Sequence, residues 1–296
     1  MLILPTLAAV GASFGWASGI VLAQRPARQL GAFEFTRIQL VACSAILAVA
    51  VSALGQWPSV RWEFWPAFMA SICIGIVLGN LAMIACLRRG GPRRTELLLA
   101  LKAPLVGVMA YLWLGETPNW SDLTGAAIAL GGVGLAVVFG SDERSESDAT
   151  TGRLAIVILL GFAATAFQGF GFLVMKPAML AGTEPLAASA IRLLGAAFVI
   201  SLVALWPIDL FRPQTVVTPY LLGRTILPGF IGYGISSTLL LYAFATLDAG
   251  IAAVLGSLSP VLVLPILWAK ERIVPRPQAV LGAVMTVVGT TMIVLI

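Results

Sequence analysis

Two stretches of this chain read almost alike. Leu97 to Glu116 is LLLALKAPLVGVMAYLWLGE, and Val254 to Glu271 is VLGSLSPVLVLPILWAKE. Each is apolar, membrane-length and interrupted by a proline, Pro104 in the first and Pro260 in the second. In each, a Trp precedes a Glu by three residues: Trp113 and Glu116, then Trp268 and Glu271. Matching seven-residue glycine intervals follow, Gly125 to Gly132 and Gly282 to Gly289. A bilayer offers no water to unpaired backbone groups, so only helices or closed barrels cross it. A proline-bearing, membrane-length helix that occurs twice confines the chain to a duplicated helical bundle of the transporter kind.

Composition agrees with this constraint. Of the residues, 59% are hydrophobic and 10% charged, against about 45–50% and about 25% in a soluble domain. The net charge of +5 is no nucleic-acid signal, because the basic residues sit between apolar runs, where they orient membrane helices. Cys43, Cys73 and Cys86 lie inside apolar runs, which argues against a disulfide framework. The sequence has no histidine, which removes His metal ligands, Ser-His triads and imidazole relays together, so no metal and no cofactor is expected.

About 20 apolar residues cross a hydrocarbon layer of roughly 30 Å. That ruler gives ten spans: 3–23, 32–54, 65–87, 95–115, 121–140, 153–175, 185–206, 223–246, 250–269 and 277–296. The fold expected is an all-α membrane protein of ten transmembrane helices in two inverted five-helix repeats. Residues 1–140 form the first repeat, 141–152 a polar linker, and 153–296 the second repeat. Phe14 overlays Phe167, Arg37 overlays Arg192, Pro104 overlays Pro260, and Gly132 overlays Gly289. Arg25-Pro26 and Lys176-Pro177 close the first and sixth spans alike. An odd number of spans per repeat makes the second copy enter from the opposite side.

On this topology fourteen of the 18 basic residues fall on one side. Arg61, Lys176 and Arg192 fall on the other, and Lys102 remains inside a span. The rule that basic loops stay inside places the larger group in the cytoplasm and both termini outside.

Three segments carry a resemblance: FGWASGIVLAQRPARQLGAFEFTR, LRRGGPRRTELLLALKAPLVGVMAYLWLGE and LDAGIAAVLGSLSPVLVLPILWAKE. With these, the chain resembles the drug/metabolite transporter superfamily in its ten-helix EamA-type branch. The resemblance implies an inner-membrane exporter of small metabolites or amino acids. It implies a central cavity lined by the first, third, fourth, sixth, eighth and ninth spans. It also implies cytoplasmic termini, whereas the charge count puts them outside.

Lys102 stands seven residues inside the fourth span, about 10 Å along a helix rising 1.5 Å per residue. An ammonium there must face the bundle interior or a wet cavity, since hydrocarbon would penalise it by several kcal/mol. The alternative is a lysine solvated at the cytoplasmic mouth. All thirteen acids fall at span edges or in loops, so a substrate carboxylate or phosphate is the expected partner. Further expected substrate contacts are Trp16, Asn80, Gln168, Phe170, Tyr233, Ser237 and Ser257. For Asn80 and Gln168, hydrogen bonding between helices is an equal alternative; for Trp16 and Phe170, packing is the alternative. Pro104 and Pro260 each free a carbonyl four residues earlier and are the expected hinges, flanking the cavity. Glu116 and Glu271 end their helices and read as interfacial.

These features point to a secondary transporter that works by alternating access and exports amino acids or related anionic or zwitterionic metabolites. The alternatives are a flippase-like lipid-handling component and a membrane-embedded enzyme; paired acids or a nucleophile motif within the spans would mark the latter, and none is present. The expected partners are a small-molecule substrate and the lipid bilayer, with no nucleic acid, in a monomer or homodimer. The charge count predicts that a reporter fused after Ile296 is active outside the cytoplasm. Activity confined to the cytoplasm would reverse the orientation and leave the fold untouched.

Overall fold

The computed structural model describes residues 3–117, 119–139, 154–206, 215–259, 261–262, 266 and 276–295. The chain starts with α1 (Ile3–Leu30) and α2 (Ala32–Ala53). The third span begins as α3 (Trp65–Ala70), loosens into a π-helix at Ser71–Leu78, and continues as α4 (Gly79–Ala100). Within α4 the chain breaks at Gly91, whose φ of 75° favours a residue without Cβ. This break separates the third span from the fourth. The fourth span resumes as α5 (Lys102–Leu114) and stops at Gly115, with a left-handed φ of 68°. The fifth span is α6 (Trp120–Phe139).

The second half repeats this plan. It runs through α7 (Leu154–Leu173), α8 (Lys176–Leu180) and α9 (Pro185–Ala204). The eighth span is α10 (Pro219–Gly229), a π-helix at Phe230–Ser236, and α11 (Ser237–Thr246). The Thr218 hydroxyl caps α10 by accepting from the Leu221 N–H at 3.2 Å. Next come α12 (Ala249–Leu255), which opens the ninth span, and α13 (Pro277–Leu295). Six helices among the described residues are long and apolar enough to cross a membrane. Three shorter apolar helices lie at Lys102–Leu114, Leu123–Gly132 and Pro277–Gly289. Large apolar residues such as Leu4, Leu7, Phe162, Phe198 and Leu227 are exposed, as a lipid-facing surface requires.

Duplication shows in which helices meet. The first span packs on the eighth (α1 on α10, its π-helix and α11), and the third packs on the sixth (α4 and its π-helix on α7). Exchanging the halves turns one contact into the other. The remaining main contacts, α2 with α9, α5 with α12 and α6 with α13, map onto themselves under the same exchange. The third and eighth spans also loosen into π-helix at matching places. The two ends read as alike do differ. Pro26 lies within α1, which continues to Leu30, whereas the helix of the sixth span ends at Leu173 and Pro177 starts α8.

The helices approach closely where glycines meet. A Cβ on Gly75 would lie 2.5 Å from the Cα of Gly171, and the reverse holds equally. A Cβ on Gly132 would lie 2.5 Å from the Gly282 carbonyl oxygen, and one on Gly289 would lie 2.5 Å from that of Gly125. The matching glycine intervals are therefore two halves of one antiparallel helix contact between α6 and α13. Interhelical hydrogen bonds add to it. Ser13 Oγ donates to the Leu255 carbonyl at 2.7 Å, and Thr165 Oγ1 to the Leu98 carbonyl at 2.9 Å.

Gly132→Leu is predicted to drive a side chain into backbone that cannot yield, destabilising by about 1–3 kcal/mol or more. Gly131→Ala, where nothing lies within 4 Å, is predicted to be close to neutral. Thermal unfolding in detergent compares the two, and equal midpoints would refute the glycine contact.

Candidate functional site

A cavity of about 100 Å³ lies in the middle of the bundle, with room for several water molecules at about 10–15 Å³ each. The first, third, fourth, sixth, eighth and ninth spans contribute to its wall, as the resemblance implied. The second and seventh spans contribute as well, through Gln39 and Arg192. Both π-helices line it, with Gly75 and Ile76 from the first and Gly232 and Tyr233 from the second. A π-turn re-aims side chains within an otherwise continuous helix, and such turns are frequent at functional sites.

Of the expected contacts, Trp16, Asn80, Lys102, Gln168, Tyr233, Ser237 and Ser257 line the cavity. Lys102 is buried, and its Nζ sits 5.1 Å from the centre of the Trp16 ring, within cation–π range. Gln168 Nε2 donates to Asn80 Oδ1 at 3.1 Å and to Met83 Sδ at 3.4 Å, so these amides join the third and sixth spans while facing the cavity. Ser257 Oγ, in the turn just past α12, donates back to the Ala253 carbonyl at 2.7 Å. The Tyr233 hydroxyl is buried without a hydrogen-bond partner.

Phe170 does not line the cavity. Its ring stacks on Trp113, with centroids 6.1 Å apart, and packs between α5 and α7. Phe172 faces the cavity instead. Two residues along a helix are about 200° around it, so only one of the pair can point inward. Pro104 is exposed and absent from the wall, so it does not flank the cavity; the helix break falls at Leu101, between α4 and α5. Pro260 and Glu271 lie outside the described residues.

Arg192 is the residue that loop counting misplaces. It is not on an outer loop but inside α9, 2% exposed, in the cavity wall. Its Nε donates to Ser71 Oγ at 2.7 Å, and Ser71 Oγ in turn donates to the Gly171 carbonyl at 2.6 Å. The two Nη atoms reach Ser237 Oγ and the Gly171 carbonyl, both at 3.4 Å. The guanidinium lies 4.8 Å from the centre of the Phe172 ring. Lys102 is therefore not the sole charge deep in the bundle. The signal was available, because Arg192 stands as far inside the seventh span as Lys102 does inside the fourth.

The wall residues lie toward the basic-loop ends of several spans, among them Ala23, Met83 and Leu99. At the opposite end the bundle is tied together. Lys176 Nζ pairs with Glu116 Oε1 and donates to the Leu247 carbonyl at 2.9 Å. Glu116 Oε2 accepts from the Ala249 N–H at 2.7 Å. These contacts join the ends of the fourth, sixth, eighth and ninth spans, so Glu116, at the end of its span, is a partly buried pairing group.

The EamA-like transporter family model matches residues 4–138 and 155–295. A probable terminal-alkyne amino-acid exporter of Streptantibioticus cattleyicolor is 28% identical over 208 residues, 68% of this chain. The match spans 64% of that relative's length. A solved crystal structure superposes with a TM-score of 0.77 at 17% identity, covering 97% of this chain and 95% of that one. At that identity the likeness shows the fold alone.

The opposite facing of Phe170 and Phe172 predicts different outcomes on truncation. Phe172→Ala is expected to lower transport in liposomes well beyond any change in folded yield. Phe170→Ala is expected mainly to lower stability, by about 3–5 kcal/mol at most for a packed aromatic, read as a lower unfolding midpoint. Parallel losses in both variants would refute the assignment of faces.

Proposed function

Because this chain belongs to the EamA-like transporter family, a multi-pass membrane protein moving small molecules, we propose that it exports amino acids or related anionic or zwitterionic metabolites by alternating access. The observation that carries this reading is the charge of the cavity wall. Lys102 and Arg192 both contribute to it, and among its described residues no acid does. A wall whose charged side chains, among the described residues, are both cations favours a substrate that carries an anionic group. The amino-acid exporter among its relatives is in keeping with that chemistry.

Three further features support export from the cytoplasm. With Arg192 and Lys102 both inside the bundle, only Arg61 and Lys176 remain opposite the fourteen basic residues that mark the inner side. The cavity reaches toward that side, while Glu116 and Lys176 tie the other end. This is the arrangement that would load a substrate from within, across the inner membrane. Helix α5 starts at Lys102, directly after the break at Leu101, so the fourth span has a joint next to the proposed substrate contact.

Lys102→Met keeps most of the stem and removes the charge. Loss of one charge-assisted hydrogen bond, about 1.5–3 kcal/mol, is predicted to weaken binding of a carboxylate substrate by roughly ten- to more than a hundred-fold. The measurement is proteoliposome transport of matched acidic and amidated compounds by variant protein first shown to be folded. Equal losses on both, or none on either, would make the lysine structural.

A further inference from the structure

Resting on the reading of the cavity as a substrate site, we propose that Gln168 selects for the amino group of the substrate. Its amide oxygen, Oε1, accepts a hydrogen bond from the substrate's ammonium. The site therefore prefers an amino acid to the 2-oxo acid of the same skeleton, which carries the same carboxylate but has no N–H to donate.

The amide of Gln168 has a fixed sense. Nε2 donates to Asn80 Oδ1 at 3.1 Å and to Met83 Sδ at 3.4 Å. A primary amide nitrogen has two N–H donors, and these two contacts take both. Turning the amide over would set its oxygen against the Met83 sulfur, an acceptor with no hydrogen to give, whichever way Asn80 is turned. The stem is held as well. A Cβ on Gly79 would lie 2.9 Å from Gln168 Cγ, so the side chain packs directly on the backbone of the third span.

The oxygen is what remains. Both bonds of Gln168 are donated by its nitrogen, and among the described residues no donor reaches Oε1. Yet this oxygen is not shut in. The fully buried side-chain atoms without a partner are Thr36 Oγ1, Gln56 Oε1 and the Tyr233 hydroxyl, and Gln168 Oε1 is not one of them. Gln168 lines the cavity and is otherwise buried, so the surface its oxygen keeps faces the cavity. The result is a preset acceptor in a wall whose charged side chains, among the described residues, are both cations. By charge alone such a wall would favour the 2-oxo acid, a net anion, over the zwitterion. The free acceptor inverts that order. A bound 2-oxo acid leaves Oε1 desolvated and unpaired, whereas an ammonium pairs with it in a charge-assisted hydrogen bond.

The test is a binding series on purified wild-type protein in lipid nanodiscs, read by calorimetry. The probes are L-alanine with pyruvate, L-leucine with 4-methyl-2-oxopentanoate, L-phenylalanine with phenylpyruvate, and L-glutamate with 2-oxoglutarate. The expected result is that at least one amino acid binds about ten-fold or more tighter than its 2-oxo acid. In Gln168→Met, which keeps the length of the side chain and loses the acceptor, the preference is expected to collapse to within about three-fold. Gln168→Glu keeps an acceptor oxygen but has no N–H for Asn80 or Met83, and it is expected to retain the preference. A Gln168 that only joined helices would behave alike in the two variants. If Gln168→Met does not fold, the wild-type series and Gln168→Glu decide. The proposal is overturned if Gln168→Met keeps the preference or if Gln168→Glu loses it. Wild-type protein that binds and transports 2-oxo acids as well as amino acids would overturn this inference alone and leave the export reading standing. If no compound of either series binds, the reading of the cavity as an amino-acid site falls with the inference.

Discussion

A bilayer gives two helices no hydrophobic reason to associate, since lipid tails are as apolar as leucine. Every other feature of this bundle depends on how that lack is met. Here it is met by backbone contact. Gly75 and Gly171 touch Cα to Cβ position, and Gly132 and Gly289 each press on the carbonyl of the partner helix's other glycine. Small interior residues such as Ala9, Ala12, Ala187 and Ala190 extend the close approach, while bulky residues such as Leu4, Leu7, Phe162 and Phe198 face outward. Van der Waals contact at this distance, with hydroxyls such as Ser13 and Thr165 bonding across helices, replaces the drive that water supplies to a soluble core.

The same close packing sets the terms for the cavity. A polar group inside a membrane protein must be bonded within the protein or face water. The bundle meets this by routing the Arg192 guanidinium through Ser71 to the Gly171 carbonyl, next to the tight Gly75–Gly171 crossing. The third and sixth spans can bring these atoms together because neither has a side chain at the crossing. The contact that holds the halves together thus also aims a cation at the cavity, held by neutral partners among the described residues. Ion pairing appears at the far end, where Glu116 and Lys176 join the span termini.

Much of this was legible from the residues in order. Apolar length gave the spans, and paired motifs gave the duplication. Lys102 stood out because depth along a helix is countable. Seven of the eight expected contacts lie in the cavity wall, since polar and aromatic groups on interior spans have few other places to go. Arg192 was equally countable, but as one of three basic residues on an otherwise sparse side it fitted a loop tally and hid there. Phe170 and Phe172 could not be told apart in sequence, because both fit an apolar span and only the rotation of α7 against its neighbours selects one. Pro104 showed where the helix would break, and not which way its ring would point.

The sequence by itself therefore determined that the chain is a duplicated bundle of membrane helices, because hydrophobic length and repeated spacing are properties of the chain read along its length. It also determined that any charge in the middle would be cationic, because the acids lie at the edges. Only the tertiary structure decided which faces turn inward. The rotation of each helix about its axis follows from where glycines on different spans allow backbones to meet, and those pairs, Gly75 with Gly171 and Gly132 with Gly282, lie about a hundred residues or more apart. That rotation placed Arg192 on Phe172 and Lys102 on Trp16, and brought both cations into the wall of one cavity.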